Sequence, residues 1–161
     1  MHEFLGRRRL AHRLESVTNH RGVALCAFFR KGKTRWSDCR ELVQWKYLVK
    51  LATDELEAAI PPGGQFILVD QDEWGTSAHV VAGRSRVPFL EREGEYWGEP
   101  PDDATAIREL ERLRQGGAHF MVFGWPAFWW LDYYSELHRH LRKNFRCVLE
   151  NDRLIVFDLR G

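Results

Sequence analysis

The sequence predicts an α/β domain of three layers, with a partly parallel sheet that ends in an antiparallel hairpin. Three observations carry this. Phe66-Ile67-Leu68-Val69 and Ala118 to Phe123 are apolar without alternation, as strands buried on both faces are. A helix-period segment precedes each of them. Near the end, Arg146-Cys147-Val148-Leu149 and Leu154-Ile155-Val156-Phe157 flank the turn-type stretch Glu150-Asn151-Asp152-Arg153, which makes a hairpin.

The elements follow in order. Ser37 or Asp38 caps a long helix whose Leu42, Trp45, Val49, Ala52, Leu56 and Ala59 recur at three- and four-residue spacings. Pro61-Pro62-Gly63-Gly64 ends it, because proline removes a donor and restricts the residue before it. After the Phe66–Val69 strand, Ala78-His79-Val80-Val81 and Arg86-Val87-Pro88-Phe89-Leu90 flank Ala82-Gly83-Arg84-Ser85 and predict a short hairpin. Pro88 suits an edge strand. Residues 91–101 read as a polar loop ending in Pro100-Pro101. Asp102 or Asp103 caps a helix through Ile107, Leu110 and Leu113, closed by Gly116-Gly117. After the Ala118–Phe123 strand, Gly124-Trp125-Pro126 turns into a helix to about Asn144, proline being tolerated in its first turn. The core is expected at Leu68, Val122, Leu110, Leu137 and Val156. In this order the elements describe a Rossmann-like domain over residues 37–161, preceded by an arm over residues 1–36.

With 161 residues the chain has room for one domain with a sizeable core and an arm. Its formal net charge of +1 is unevenly placed. Residues 1–50 carry 12 Lys/Arg against 4 Asp/Glu, whereas residues 51–161 carry 12 against 19. The arm, with Arg7-Arg8-Arg9 and Arg13, offers itself to a polyanion or to the acidic body. Its apolar run Val23–Phe29 is a candidate strap for self-association, so a homo-oligomer through the arm is expected. Nucleic acid is disfavoured, since no reading element accompanies the charge. Cys26, Cys39 and Cys147 are odd in number and lack metal-type spacing, which fits a reduced, cytoplasmic protein. No run approaches the roughly 20 apolar residues of a membrane span, and residues 1–15 lack an apolar signal region.

The candidate site follows from tryptophans and carboxylates placed together. Trp74 follows Asp70, Asp72 and Glu73; Trp97 sits in Glu93-Gly94-Glu95-Tyr96-Trp97-Gly98-Glu99; Trp125 follows Phe120-Met121-Val122-Phe123-Gly124. Two of these positions directly follow a strand, where open α/β sheets bind ligands. Carboxylates accept hydrogen bonds from hydroxyls, and an indole covers the apolar face of a pyranose. The candidate ligand-binding residues are therefore Asp70, Asp72, Trp74, Tyr96, Trp97 and Trp125. The competing reading makes Trp74 a lid on the core within a solvated loop, and core packing is also the first expectation for Trp129, Trp130, Tyr133 and Tyr134. Asp70 with the Glu93–Glu99 loop offers paired carboxylates for acid–base work, without a spacing rule to link them.

Other chemistry finds little support. The Asp70–Gly75 loop lacks a calcium loop's closing glutamate, Val81 standing there. His138 and His140 diverge on a helix; Asp132, Glu136 and His140 share a face that reads as a solvated stripe. No metal and no cofactor is expected. No glycine-rich dinucleotide loop follows the Phe66–Val69 strand, and neither a Walker motif nor a nucleophile elbow occurs.

Residues from about 55 to 159 resemble a small α/β module found fused to bacterial family-2-type glycosyltransferases and other polysaccharide-biosynthesis proteins. The carrying segments are Ile60-Pro61-Pro62-Gly63, Tyr96-Trp97-Gly98, Pro101-Asp102-Asp103-Ala104-Thr105-Ala106-Ile107, and Gly117-Ala118 leading into Phe120–Phe123. The most distinctive is Trp129-Trp130-Leu131-Asp132-Tyr133-Tyr134, followed by Phe145-Arg146-Cys147-Val148 and Ile155-Val156-Phe157-Asp158-Leu159. The resemblance covers about two-thirds of the chain and implies an accessory unit beside a transferase. Its ligand would be a glycan or sugar nucleotide, and its partner a glycosyltransferase. Two alternatives stay open: a small carboxylate-dependent enzyme on a sugar-type substrate, and a basic-arm polyanion-binding protein.

Overall fold

The computed structural model describes residues 36–74 and 81–161. The basic arm, the Val23–Phe29 strap, Cys26 and residues 78–80 of the expected first hairpin lie outside them. The chain divides into two units, Met1–Trp45 and Lys46–Gly161. Of the first, the described part is the start of helix α1 (Trp36–Ala59), where Leu42 is exposed rather than part of an apolar face. Further along α1 the expected stripe holds, with Val49, Ala52 and Leu56 buried.

The second unit is built on a five-stranded sheet. Its strands are β1 (Gln65–Val69), β2 (Ser85–Pro88), β5 (Phe120–Gly124), β6 (Arg146–Glu150) and β7 (Leu154–Asp158), in the order β2-β1-β5-β7-β6. β1 pairs in parallel with both β2 and β5, placing Leu68 opposite Val122. β7 runs antiparallel to β5 and to β6, so the expected C-terminal hairpin joins the parallel strands through its second arm. Helices α2 (Asp103–Gln115), α3 (Trp130–Tyr133) and α4 (Ser135–Asn144) complete a mixed α/β architecture.

Side chains alternate across a strand. Ile67, Val69, Met121, Phe123, Ile155 and Phe157 point one way, into a cluster with Ala106, Leu110 and Leu113 of α2 and Leu137 and Leu141 of α4. Phe66, Leu68, Phe120, Val122, Leu154 and Val156 point the other way and are equally buried. That double burial is why the central strands show no alternation. All five expected core residues are buried.

Three local readings change. Arg86–Leu90 does not supply a hairpin arm: Ser85–Pro88 pairs in parallel with β1 at the sheet edge. A strand buried on both faces has two edges to satisfy, and β1 takes β2 on one and β5 on the other. Within the expected polar loop, β3 (Glu91–Arg92) and β4 (Glu95–Tyr96) form a small hairpin. Its turn residues Glu93 and Gly94 both have positive φ, 54° and 86°, the backbone that matches strand twist in two-residue turns.

The third change concerns the helix expected from Trp125 to Asn144. It is a 3-10 turn (Trp125–Ala127), then α3, then α4, broken at Tyr134 with φ −95° and ψ 69°. Tyr134 stacks on Trp130 at 4.9 Å and donates its hydroxyl to Pro100 O at 2.7 Å. Asp103 accepts the N–H of Leu137 at 2.8 Å, an end group of α4 that a continuous helix would have bonded internally. Asp102 caps α2 itself, accepting from Thr105 N at 2.7 Å. The break also disrupts the helical register that would align Asp132, Glu136 and His140; His140 lies against Glu111 instead, at 3.3 Å.

Candidate functional site

At the carboxyl end of β1 the chain leaves the sheet through Asp70, which is only 2% exposed. Its Oδ1 accepts Asp72 N at 3.2 Å and its Oδ2 accepts Trp74 N at 3.1 Å, while Asp70 O accepts Glu73 N. One carboxylate thus folds the next four residues into a tight turn. The turn forces Gln71 and Asp72 into the left-handed region, with φ of 57° and 58°. Non-glycine residues there cost on the order of 1 kcal/mol each, and such strain is held where surrounding bonds over-determine it. Burial pushes the Asp70 carboxyl up to about 6; the two loop N–H groups and the Arg86 charge pull against that rise.

Trp74 is a cover on the sheet rather than an open stacking face. It is 2% exposed and lies on Gly124, where an added Cβ would meet its Cζ2 at 2.9 Å. Half-buried Trp125, one residue beyond Gly124, stacks on it at 5.2 Å with the planes 37° apart. The lid reading of Trp74 therefore describes its contacts. Asp72 is exposed and lies 3.9 Å from Arg86. Among the described residues, Trp74 Nε1 and Arg86 Nη1 are buried without a hydrogen-bond acceptor.

Gln71 points into a second cluster. Its Nε2 donates to Glu99 Oε1 at 2.8 Å, and its Oε1 accepts from Trp129 Nε1 at 3.3 Å. The two bonds fix which way the amide faces. Trp129 meets Tyr133 edge-on at 5.8 Å, and Tyr133 meets Tyr134 edge-on at 4.8 Å. Tyr133 is 55% exposed and Glu99 is half-buried. Burial, then the negative charge of Glu99, holds the Tyr134 hydroxyl well above its ordinary range. Gln71, Glu99, Trp129 and Tyr133 thus make a polar and aromatic surface at the carboxyl end of the sheet.

The six expected ligand residues separate. Asp70, Asp72, Trp74 and Trp125 come together, as the strand-end argument expects, but Asp70 and Trp74 serve the loop and the sheet. Tyr96 is half-buried, at the end of the β3–β4 hairpin. Trp97, 64% exposed, has Arg92 over its ring at 5.0 Å, and among the described residues no ring contact joins it to Trp74 or Trp125. Gln71, Trp129 and Tyr133 were not among the six. The four-residue spacing of Trp129 and Tyr133 on a helix was their available signal. Nothing in the sequence links Gln71 to a partner 28 residues away.

A cleft of about 300 Å³ lies beside β2 and the end of α2, lined by Gln65, Arg86, Val87 and Pro88 with Glu91 and Arg112. Arg112 pairs with Glu91 at 2.8 Å and with Glu109 at 2.8 Å, so its charge is already matched. Among the described residues no group of three or more His, Cys, Asp and Glu is placed to hold a metal. No described helix is long and apolar enough to cross a membrane.

No family model, no curated protein and no solved structure matches the chain.

Proposed function

We propose that this domain is a non-catalytic binding module for a carbohydrate, with its ligand surface at Gln71, Glu99, Trp129 and Tyr133. The single observation that carries the reading is the Gln71 amide, bonded to both Glu99 and the Trp129 indole beside the exposed Tyr133 ring. A sugar presents hydroxyls around its rim and C–H groups on its faces. Planar amide and carboxylate groups next to aromatic rings match both. The strained backbone at Gln71 supports a site where geometry matters more than local stability.

A three-layer, Rossmann-like arrangement belongs to this reading, because ligands of such folds lie at the carboxyl ends of their strands. The resemblance to glycosyltransferase-associated modules supplies the setting: an accessory unit of surface-polysaccharide synthesis, working beside a transferase in the cytoplasm. The enzyme alternative has one carboxyl with a suitable pKa, Asp70, but both of its oxygens hold loop N–H groups and its side chain is covered. The test is calorimetric titration of the full chain with mono- and oligosaccharides, repeated on Tyr133→Ala and Gln71→Ala. Tenfold or greater weakening in both variants is expected. Binding untouched by either substitution, or no saccharide binding at millimolar concentration, overturns the reading.

A further inference from the structure

We propose that this surface selects a positively charged sugar, one carrying a protonated amino group, over neutral sugars and sugar nucleotides. The proposal rests on the carbohydrate reading above and names the class of ligand for the same surface. It starts from Glu99. One of its oxygens accepts from the neutral Gln71 amide, and among the described residues no lysine, arginine or histidine pairs with this carboxylate. Elsewhere in the domain several half-buried carboxylates have cations, Glu55 with Arg153, Glu91 with Arg112, Glu111 with Arg114 and Asp158 with Arg160, while Asp103 and Glu57 accept backbone N–H groups. Glu99 differs from both groups, its one hydrogen bond among the described residues coming from a neutral side-chain amide.

The rings beside Glu99 point the same way. Aromatic faces carry negative potential and attract ammonium groups. The exposed Tyr133 ring stands at 4.8 Å from Tyr134, on which the charge of Glu99 acts. An ammonium donating to Glu99 while resting on the Tyr133 face would meet both attractions at once.

The same surroundings disfavour phosphate. Phosphates are held by arginine or lysine forks, or by free N–H groups at a helix N-terminus. Both full-length helices that begin near this surface have their first turns occupied by carboxylates, α2 by Asp102 and α4 by Asp103. Of the described cations at this end, Arg92 lies over Trp97, the Arg108 charge acts on Asp102, and Arg86, whose Nη1 is buried, faces Asp72 at 3.9 Å. A nucleotide diphosphate would bring its negative charge against Glu99, Asp102 and Asp103.

The experiment compares glucosamine, N-acetylglucosamine, glucose and a uridine-diphosphate sugar, titrated into the full chain at low and at moderate salt. Glucosamine is expected to bind roughly tenfold more tightly than N-acetylglucosamine, with the gap narrowing as salt screens the charge. Glu99→Gln, which removes the charge but keeps the acceptor for Gln71, is expected to remove that gap, glucosamine losing about tenfold against N-acetylglucosamine measured on the same variant. Equal binding of the two hexosamines, or tightest binding by the nucleotide sugar, overturns the proposal and leaves the carbohydrate reading standing. Binding by none of the four overturns both. Should Glu99→Gln fail to fold, the four ligands and the salt series on the unaltered chain decide alone.

Discussion

Gln71 Nε2 donates to Glu99 Oε1 across 2.8 Å, tying the loop after β1 to the loop before α2. The bond joins residues 28 apart, and Gln71 makes it from a left-handed backbone, φ 57°, within the turn that Asp70 ties together. Gln71→Ala should lose about 1–2 kcal/mol of stability from the two bonds removed. Gln71→Gly loses the same bonds but removes the steric cost of the positive φ, so it should be more stable than the alanine variant by about 1 kcal/mol. Urea unfolding of the two variants measures the difference, and a glycine variant weaker than alanine would show that the turn is not strained.

Asp70 makes stability depend on pH with a definite sign. Its carboxyl titrates near 6 in the fold, above the ordinary 3.8. Between those values the folded state binds more protons than the unfolded one, so stability is present below 3.8 and lost as pH rises through 6. A shift of that size destabilises the neutral-pH fold by up to roughly 3 kcal/mol, of which about 1 kcal/mol returns between pH 7 and 5. Glu55, Glu91, Glu150 and Asp158 are all held below their ordinary values and act only in more acid solution. The unaltered chain should therefore gain stability between pH 7 and 5 relative to Asp70→Asn, as followed by denaturant titration at each pH. Parallel pH profiles would contradict this.

Gly124 is required by the indole that lies on it. Gly124→Ala places a Cβ at 2.9 Å from Trp74 Cζ2, where the neighbour is a ring fixed against Trp125. A loss of about 1–3 kcal/mol is expected. Trp74→Leu in the same chain should recover part of it, as a double-mutant cycle in thermal unfolding would show.

The core answers to simple truncation. Leu110 and Leu137 are fully buried on α2 and α4. Replacing either with alanine should cost roughly 2–5 kcal/mol. A loss below about 1 kcal/mol at both positions would show that the helix faces are assigned wrongly.

Much of this fold is legible in the chain because its strands are extreme cases. Phe66–Val69 and Phe120–Phe123 are apolar on both faces, and the Glu150–Arg153 turn sits between two matched runs, so parallel centre and antiparallel end are both readable. The break at Tyr134 is not, because it depends on Pro100 and Asp103, which reach it from more than 30 residues away. The pairing of β2 is hidden for a similar reason: an apolar run does not say which neighbour it will join. The candidate site was half readable. Strand-end position picked out Asp70, Trp74 and Trp125, yet burial assigns Asp70 and Trp74 to holding the loop and covering the sheet. Gln71 does its work through a backbone angle that a glutamine in sequence does not announce.

The central claim, a carbohydrate surface at Gln71, Glu99, Trp129 and Tyr133, is tested most directly by protein-observed NMR. On titration with a saccharide, the account predicts saturable shifts of the Trp129 indole N–H and the Gln71 side-chain amide, with the buried Trp130 indole N–H little changed. Shifts confined to other parts of the domain, or none at saturating saccharide, would contradict it.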